Sequence, residues 1–160
     1  MLTNAILDNF AASLTWIEQA ISNVPDERAA EQSHGVRNHP AWTMTHLCVA
    51  LDFTATIIGL SSTCPPQWGG IASPGSKPVA DRSVYPSLAE TTQALRKLHE
   101  SVANAVRNAD PSLFAKPSPE QIRGFAPTIS HLLSYMLLAH ENYHLAQMMI
   151  WKQAAGLAKG

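Results

Sequence analysis

Residues 129–151 read ISHLLSYMLLAHENYHLAQMMIW, and this stretch gives the strongest indication of the fold. Its apolar residues recur every three or four positions, which is the spacing that places side chains on one face of a helix. We expect this helix to begin at Pro127, because proline suits a first helical turn. The stripe on this helix includes two histidines and a glutamine: Ile129, Leu133, Met136, His140, His144, Gln147 and Trp151.

Three upstream stretches show the same helical spacing. The first extends from Ile6 to Ile21, and the third opens with a capping box at Ser87 and Glu90. No segment alternates with a period of two for long enough to predict a strand. We therefore predict an all-α four-helix bundle that forms one domain over residues 1–160. The second stretch, residues 40–59, has the following stripe: Trp42, His46, Val49, Phe53 and Ile57.

A long connector, residues 61–85, separates the second and third helices and is rich in proline and glycine. A connector of about 25 residues can span roughly 80 Å when extended, which exceeds the length of such a helix. The second and third helices can therefore run parallel, joined by a crossover. A second irregular stretch, residues 110–126, contains Ser118-Pro119-Glu120-Gln121, which resembles one capped helical turn.

Composition excludes several functional classes. The chain is 46% hydrophobic with a formal net charge of −1, so disorder and nucleic-acid binding are both disfavoured. No secretion signal is recognisable, and the most apolar stretch, residues 129–139, is too short to span a bilayer. Cys48 and Cys64 cannot make a disulfide framework. These features predict a cytoplasmic protein that does not associate with membranes or nucleic acid.

The motif His140-Glu141-Asn142-Tyr143-His144 has the spacing of a metal site. Histidines four apart on a helix lie on one face, so both imidazoles can reach one ion. The letters also match H-E-x-x-H of zinc peptidases, in which the glutamate is the general base. Residues 145–160, however, contain no Asp, Glu or His. A third ligand must therefore come from upstream, which argues against a peptidase.

His46 is the best candidate for the third ligand, because it lies on the apolar stripe of the second helix. Such a histidine, taken alone, is more often a hydrogen-bonded core residue. Three imidazoles that converge inside a bundle, however, are hard to satisfy without an ion. His99 lies near the inner face of the third helix and is a candidate supporting residue. The other histidines are weaker candidates as ligands: His34, His39 and His131.

The sequence resembles the DinB-like (DinB/YfiT) family of metalloproteins over nearly its whole length. The resemblance rests on Trp42-x-x-x-His46-Leu47, on His140-x-x-x-His144-x-x-Gln147 and on the run PVADRS at residues 78–83. It implies an up-down-down-up four-helix bundle, a divalent ion held by His46, His140 and His144, and homodimers. Exposed positions expected for Trp16 and Trp151 are in line with a dimer.

Two polar residues of the last helix have open roles. Glu141 points about 100° away from the histidines, so a solvated or dimer-interface carboxylate is favoured over a general base. Gln147 lies one turn beyond His144 and either orients an imidazole or a bound water, or closes the polar end of the core. Both residues are retained as catalytic candidates.

Three functions are compatible with a three-histidine ion, for which zinc or nickel is the preferred identity. In the first, the ion activates a low-molecular-weight thiol for transfer to an electrophile. Relatives in the resembled family include bacillithiol S-transferases and mycothiol-dependent isomerases, which supports this function. In the second, the ion activates water for hydrolysis of a small substrate. In the third, the ion serves stability or sensing without catalysis.

Overall fold

The computed structural model describes residues 2–33 and 35–158. Within these ranges the chain is all α and forms no strand, although Pro117 and Thr128 make an isolated bridge. The helices are α1 Leu2–Ile21, α2 Pro40–Ile57, α3 Pro66–Ala72, α4 Leu88–Asn108, α5 Ser112–Ala115, α6 Glu120–Arg123, α7 Ile129–Ser134 and α8 Glu141–Ala154. His34 lies outside the described residues.

The last long helix is interrupted by a π-helical turn. Residues Tyr135–His140 adopt this wider geometry and connect α7 to α8 without a break. The helix begins at Ile129, two residues after the predicted Pro127, and Thr128 provides its N-cap position. Because a π turn adds residues to the turn, the 3.6-residue spacing does not extend unchanged from α7 into α8.

Two of the helix starts have side-chain caps. His39 precedes α2, and its Nδ1 accepts a hydrogen bond from the Trp42 amide. The capping box predicted at Ser87 and Glu90 is confirmed at the start of α4. The capped turn predicted near Ser118 is helical, as α6, but the Ser118 hydroxyl is buried without a partner. That part of the prediction is wrong.

The core lies between the four long helical segments. Helix α2 packs on α4, α1 packs on both α4 and α8, and α2 also contacts α8. Apolar residues of these helices fill this space, and each of the following is buried: Phe10, Ile17, Leu95, Leu98, Val102 and Leu133. Burial of these apolar side chains is the main contribution to the stability of such a bundle.

Two large stripe residues differ from expectation. Trp151 is fully buried, and its indole N–H donates to the Glu31 carbonyl at 2.7 Å. The prediction that one bundle leaves Trp151 uncovered is therefore wrong, whereas Trp16 is 46% exposed. Phe53, expected in the core of α2, is 47% exposed. No helix within the described residues has both the length and the hydropathy needed to cross a membrane.

The connector between α2 and α4 folds back over the start of α2. The Asp52 carboxylate accepts hydrogen bonds from the Thr63 and Cys64 amides, which fixes the beginning of the connector. Farther along, the Trp42 indole donates to the Ser76 hydroxyl at 2.9 Å. These contacts bring residues 73–76 beside the part of α2 that contains His46.

Candidate metal centre

Three histidines from two distant segments meet inside the bundle. His46 comes from α2, His140 ends the π turn, and His144 lies one turn into α8. All three are buried, and one ligand atom from each lies within 4.8 Å of the others. The Nε2 atoms of His46 and His140 are 3.2 Å apart. This cluster is the one that the sequence predicted.

Two of the three histidines make a hydrogen bond through Nδ1, the ring nitrogen that does not face the cluster, and these bonds fix their tautomers. The Nδ1–H of His46 donates to the Ala72 carbonyl at 2.7 Å. The Nδ1–H of His144 donates to Oε1 of Gln147 at 3.0 Å, and this oxygen also accepts from the Asn38 amide. Both imidazoles therefore present an Nε2 lone pair to the cluster, as metal-binding histidines do.

Burial keeps the cluster uncharged. Desolvation, followed by repulsion from His144 and His46, lowers the pKa of His140 to about 3. Desolvation, with a smaller contribution from His46, lowers the pKa of His144 to about 4. Desolvation also lowers the pKa of His46. Since metal ligation requires neutral imidazole, protons compete weakly with an ion here at neutral pH.

Two local features set the ring positions. The Trp42 indole stacks on the His46 imidazole, with centroids 4.6 Å apart and planes inclined by 9°. Trp42 and His46 are four residues apart on α2, so this contact follows from the helical repeat. The π turn ends at His140 and determines its phase relative to α7. Such turns are rare and occur frequently at functional sites.

Glu141 belongs to a buried polar cluster with Ser13 and His99. Its Oε1 accepts from the His99 ring at 2.8 Å, and its Oε2 accepts from the Ser13 hydroxyl. All three residues are buried, so the preferred interpretation of Glu141 as a solvated or interface carboxylate is wrong. This polar cluster connects α1, α4 and α8 directly after His140.

The other candidate residues have the following positions. Gln147 contacts His144 through the hydrogen bond described above. This geometry corresponds to one of its predicted roles, orienting an imidazole. His99 contacts Glu141 rather than a histidine of the cluster, and its ring stacks on Phe10 at 3.7 Å. His131 is exposed and bonded to Thr128, outside the cluster as expected.

Three further contributors were not predicted. Ser13 lies three residues after Phe10 on the apolar stripe of α1, and a polar residue at that position was the available signal. Asn38 and the Ala72 carbonyl lie near segment ends where no periodic pattern applies. Their contacts with Gln147 and His46 depend on how the connectors fold.

A cavity of about 680 Å³ includes all three histidines in its wall. Its lining is mainly apolar and aromatic, and the volume is within the range for small-molecule sites. Among the described residues that line it, none is Asp or Glu. Glu141, in particular, is not part of the wall. The arrangement thus combines three neutral nitrogen donors with an open, hydrophobic chamber.

The cysteines lie apart from the histidine cluster. Cys48 is buried, donates to the Thr91 carbonyl and has a pKa raised well above its ordinary value by desolvation. Desolvation, with a contribution from Asp52, raises the pKa of Cys64 to about 12. Neither thiol lines the cavity, and both cysteines are free.

No curated protein matches the chain closely enough to be reported as a relative. The family model of the DinB superfamily matches residues 10–148, a range that includes His46, His140 and His144. With most of its length matched by that model, the chain belongs to the DinB superfamily.

Proposed function

We propose that this protein is a metal-dependent enzyme in which His46, His140 and His144 hold one divalent ion, zinc or nickel. The observation that supports this most strongly is the convergence of three neutral imidazoles in the wall of an open cavity. Three protein ligands with a free position are typical of catalytic rather than structural sites. When bound, such an ion lowers the pKa of a coordinated thiol or water toward neutrality.

We propose further that the reaction is transfer of a small thiol to an electrophile. Hydrolysis benefits from a carboxylate or histidine that moves protons beside the scissile bond. The described cavity wall offers no carboxylate, and Glu141 is bonded to Ser13 and His99 instead. Thiol transfer requires only that the thiol lose its proton, so a cavity wall without a carboxylate is better suited to thiol transfer than to hydrolysis. The protein's own thiols are unsuitable, because burial raises both of their pKa values.

The assembly of the helices is part of the same proposal. We propose the up-down-down-up order, in which the connector crosses from the end of α2 to the start of a parallel α4. Trp16, Met149 and Ile150 are about half exposed or more, and such apolar side chains favour a homodimer. A reaction that uses a free thiol, together with two unpaired cysteines, suits the reducing cytoplasm.

Metal analysis tests the site. Protein purified without a histidine tag and dialysed against metal-free buffer should retain close to one divalent ion per chain. The variants His140→Ala and His144→Ala should lose it. The matched control is His131→Ala, since His131 lies on the same helical segment but outside the cluster. Full metal content in either ligand variant would contradict the assignment.

Cobalt substitution tests the chemistry. A small thiol that binds the cobalt protein should add a charge-transfer band in the near ultraviolet, and His46→Ala should abolish it. Thiol consumption should then accelerate with an electrophile such as 1-chloro-2,4-dinitrobenzene. If thiols leave the spectrum unchanged and esters are hydrolysed, the hydrolase function replaces this one. If neither reaction occurs and metal removal only lowers the melting temperature, the ion is structural.

A further inference from the structure

The cavity beside the three histidines has an aromatic wall with substantial exposed area. Phe125 and Tyr143 are each 60% exposed, and Phe53 is 47% exposed. Phe125 also packs edge to face on Tyr135 with centroids 4.5 Å apart, so these two rings form a continuous aromatic surface. Rings of this kind provide hydrophobic contact area for an aryl or alkyl group of a ligand.

Arg37 supplies the single formal charge among the described residues of this wall. Its guanidinium makes one hydrogen bond, to the Ser76 carbonyl, and this bond has the long distance of 3.5 Å. By contrast, each of three other arginines forms an ion pair with a carboxylate: Arg28, Arg82 and Arg96. No carboxylate among the described residues lies within ion-pair distance of Arg37. Most of its N–H groups are therefore available to a ligand.

We infer that the substrate of this cavity is a hydrophobic monocarboxylate, with its carboxylate on Arg37 and its apolar part against Phe53, Phe125 and Tyr143. Calling that molecule the substrate rests on the function proposed above; the binding preference itself does not. The guanidinium fork matches a carboxylate in a bidentate geometry. Arg37 is the one formally charged side chain among the described residues of the wall, so one guanidinium faces one carboxylate.

Calorimetric titration with two matched probes tests the inference. The probes are 4-phenylbutanoate and its neutral amide, 4-phenylbutanamide, and the protein is first stripped of metal with a chelator. The carboxylate should bind roughly fivefold more tightly than the amide at low salt, as expected for a partly exposed charge pair. In Arg37→Gln the two probes should bind equally, with the affinity for the amide unchanged. Arg123→Gln, which changes an arginine outside the wall, is the control and should keep the preference.

Three outcomes would overturn the inference: equal binding of the two probes to the unmodified protein, an equal loss for both in Arg37→Gln, or the same loss in Arg123→Gln. A second titration with zinc-loaded protein separates the two proposals. A carboxylate preference that appears only with zinc and survives Arg37→Gln would assign carboxylate binding to the ion and contradict the role of Arg37. Conversely, if the preference depends on Arg37 but the stripped protein takes up neither zinc nor nickel when either ion is supplied, only the metal proposal is contradicted.

Discussion

Replacement of His99 by leucine removes one of the two hydrogen-bond donors that satisfy the buried carboxylate of Glu141. His99 donates from Nε2 at 2.8 Å, and the Ser13 hydroxyl is the other donor. Both oxygens lie in the core between α1, α4 and α8, so we expect that water does not replace the lost bond. The relative stabilities of variants of this cluster therefore show how far these donors stabilise the Glu141 carboxylate.

The expected losses of unfolding free energy differ between the two variants. Removing a donor leaves a buried carboxylate unsatisfied, whereas removing Glu141 removes that carboxylate. In His99→Leu a buried carboxylate loses a main partner, which typically costs about 3–5 kcal/mol of unfolding free energy. In Glu141→Leu the group left unpaired is a ring N–H, and the expected cost is about 1–3 kcal/mol. The double variant contains neither group, so it should be more stable than His99→Leu alone.

Urea unfolding of the metal-free protein, followed by circular dichroism at 222 nm, measures these free energies. The matched control is Glu100→Leu, which changes the exposed neighbour of His99 on α4 and should alter stability by less than about 0.5 kcal/mol. Should His99→Leu fail to fold, Glu141→Leu and the double variant still test the argument. Strict additivity of the two single losses in the double variant would refute it, because it would mean that the carboxylate and the imidazole do not interact.

The remaining predictions concern the histidine cluster and the cysteines. In the metal-free protein the pKa values of His140 and His144 rise from about 3 and about 4 toward 6.5 on unfolding, so the unfolded chain binds protons that the folded chain does not. Stability should be full above pH 6.5 and fall between pH 6.5 and about 3. His140→Asn should reduce this fall in urea titrations, and an unchanged fall would contradict the assignment. Gln147→Leu removes the acceptor of His144 Nδ1–H and should weaken metal binding about tenfold or more in a chelator competition, whereas the exposed Gln153→Leu should not. Iodoacetamide at pH 8 should modify Cys64 and Cys48 slowly in the folded protein and rapidly in urea, because burial raises both pKa values. Mass spectrometry measures the alkylation, and fast alkylation of the folded protein would show that one thiol is ionised.

The local elements of this protein were determined by the sequence, because helical spacing and capping depend on residues close together in the chain. The capping box at Ser87 forms as predicted, and His140 and His144 share a face since four residues complete about one turn. The pairing of His46 with them was also predictable, since a histidine on an apolar stripe needs a partner inside the same core.

Other properties were decided by the tertiary structure alone. Glu141 appeared solvent-facing in a regular helix, yet Ser13 and His99 approach it from α1 and α4 once these helices pack together. The Trp151 indole donates to the Glu31 carbonyl, which lies 120 residues upstream. The Ala72 carbonyl reaches His46 only because the connector folds back over α2. Such contacts join segments distant in the chain, so they depend on how loops close and helices pack, which no local pattern encodes.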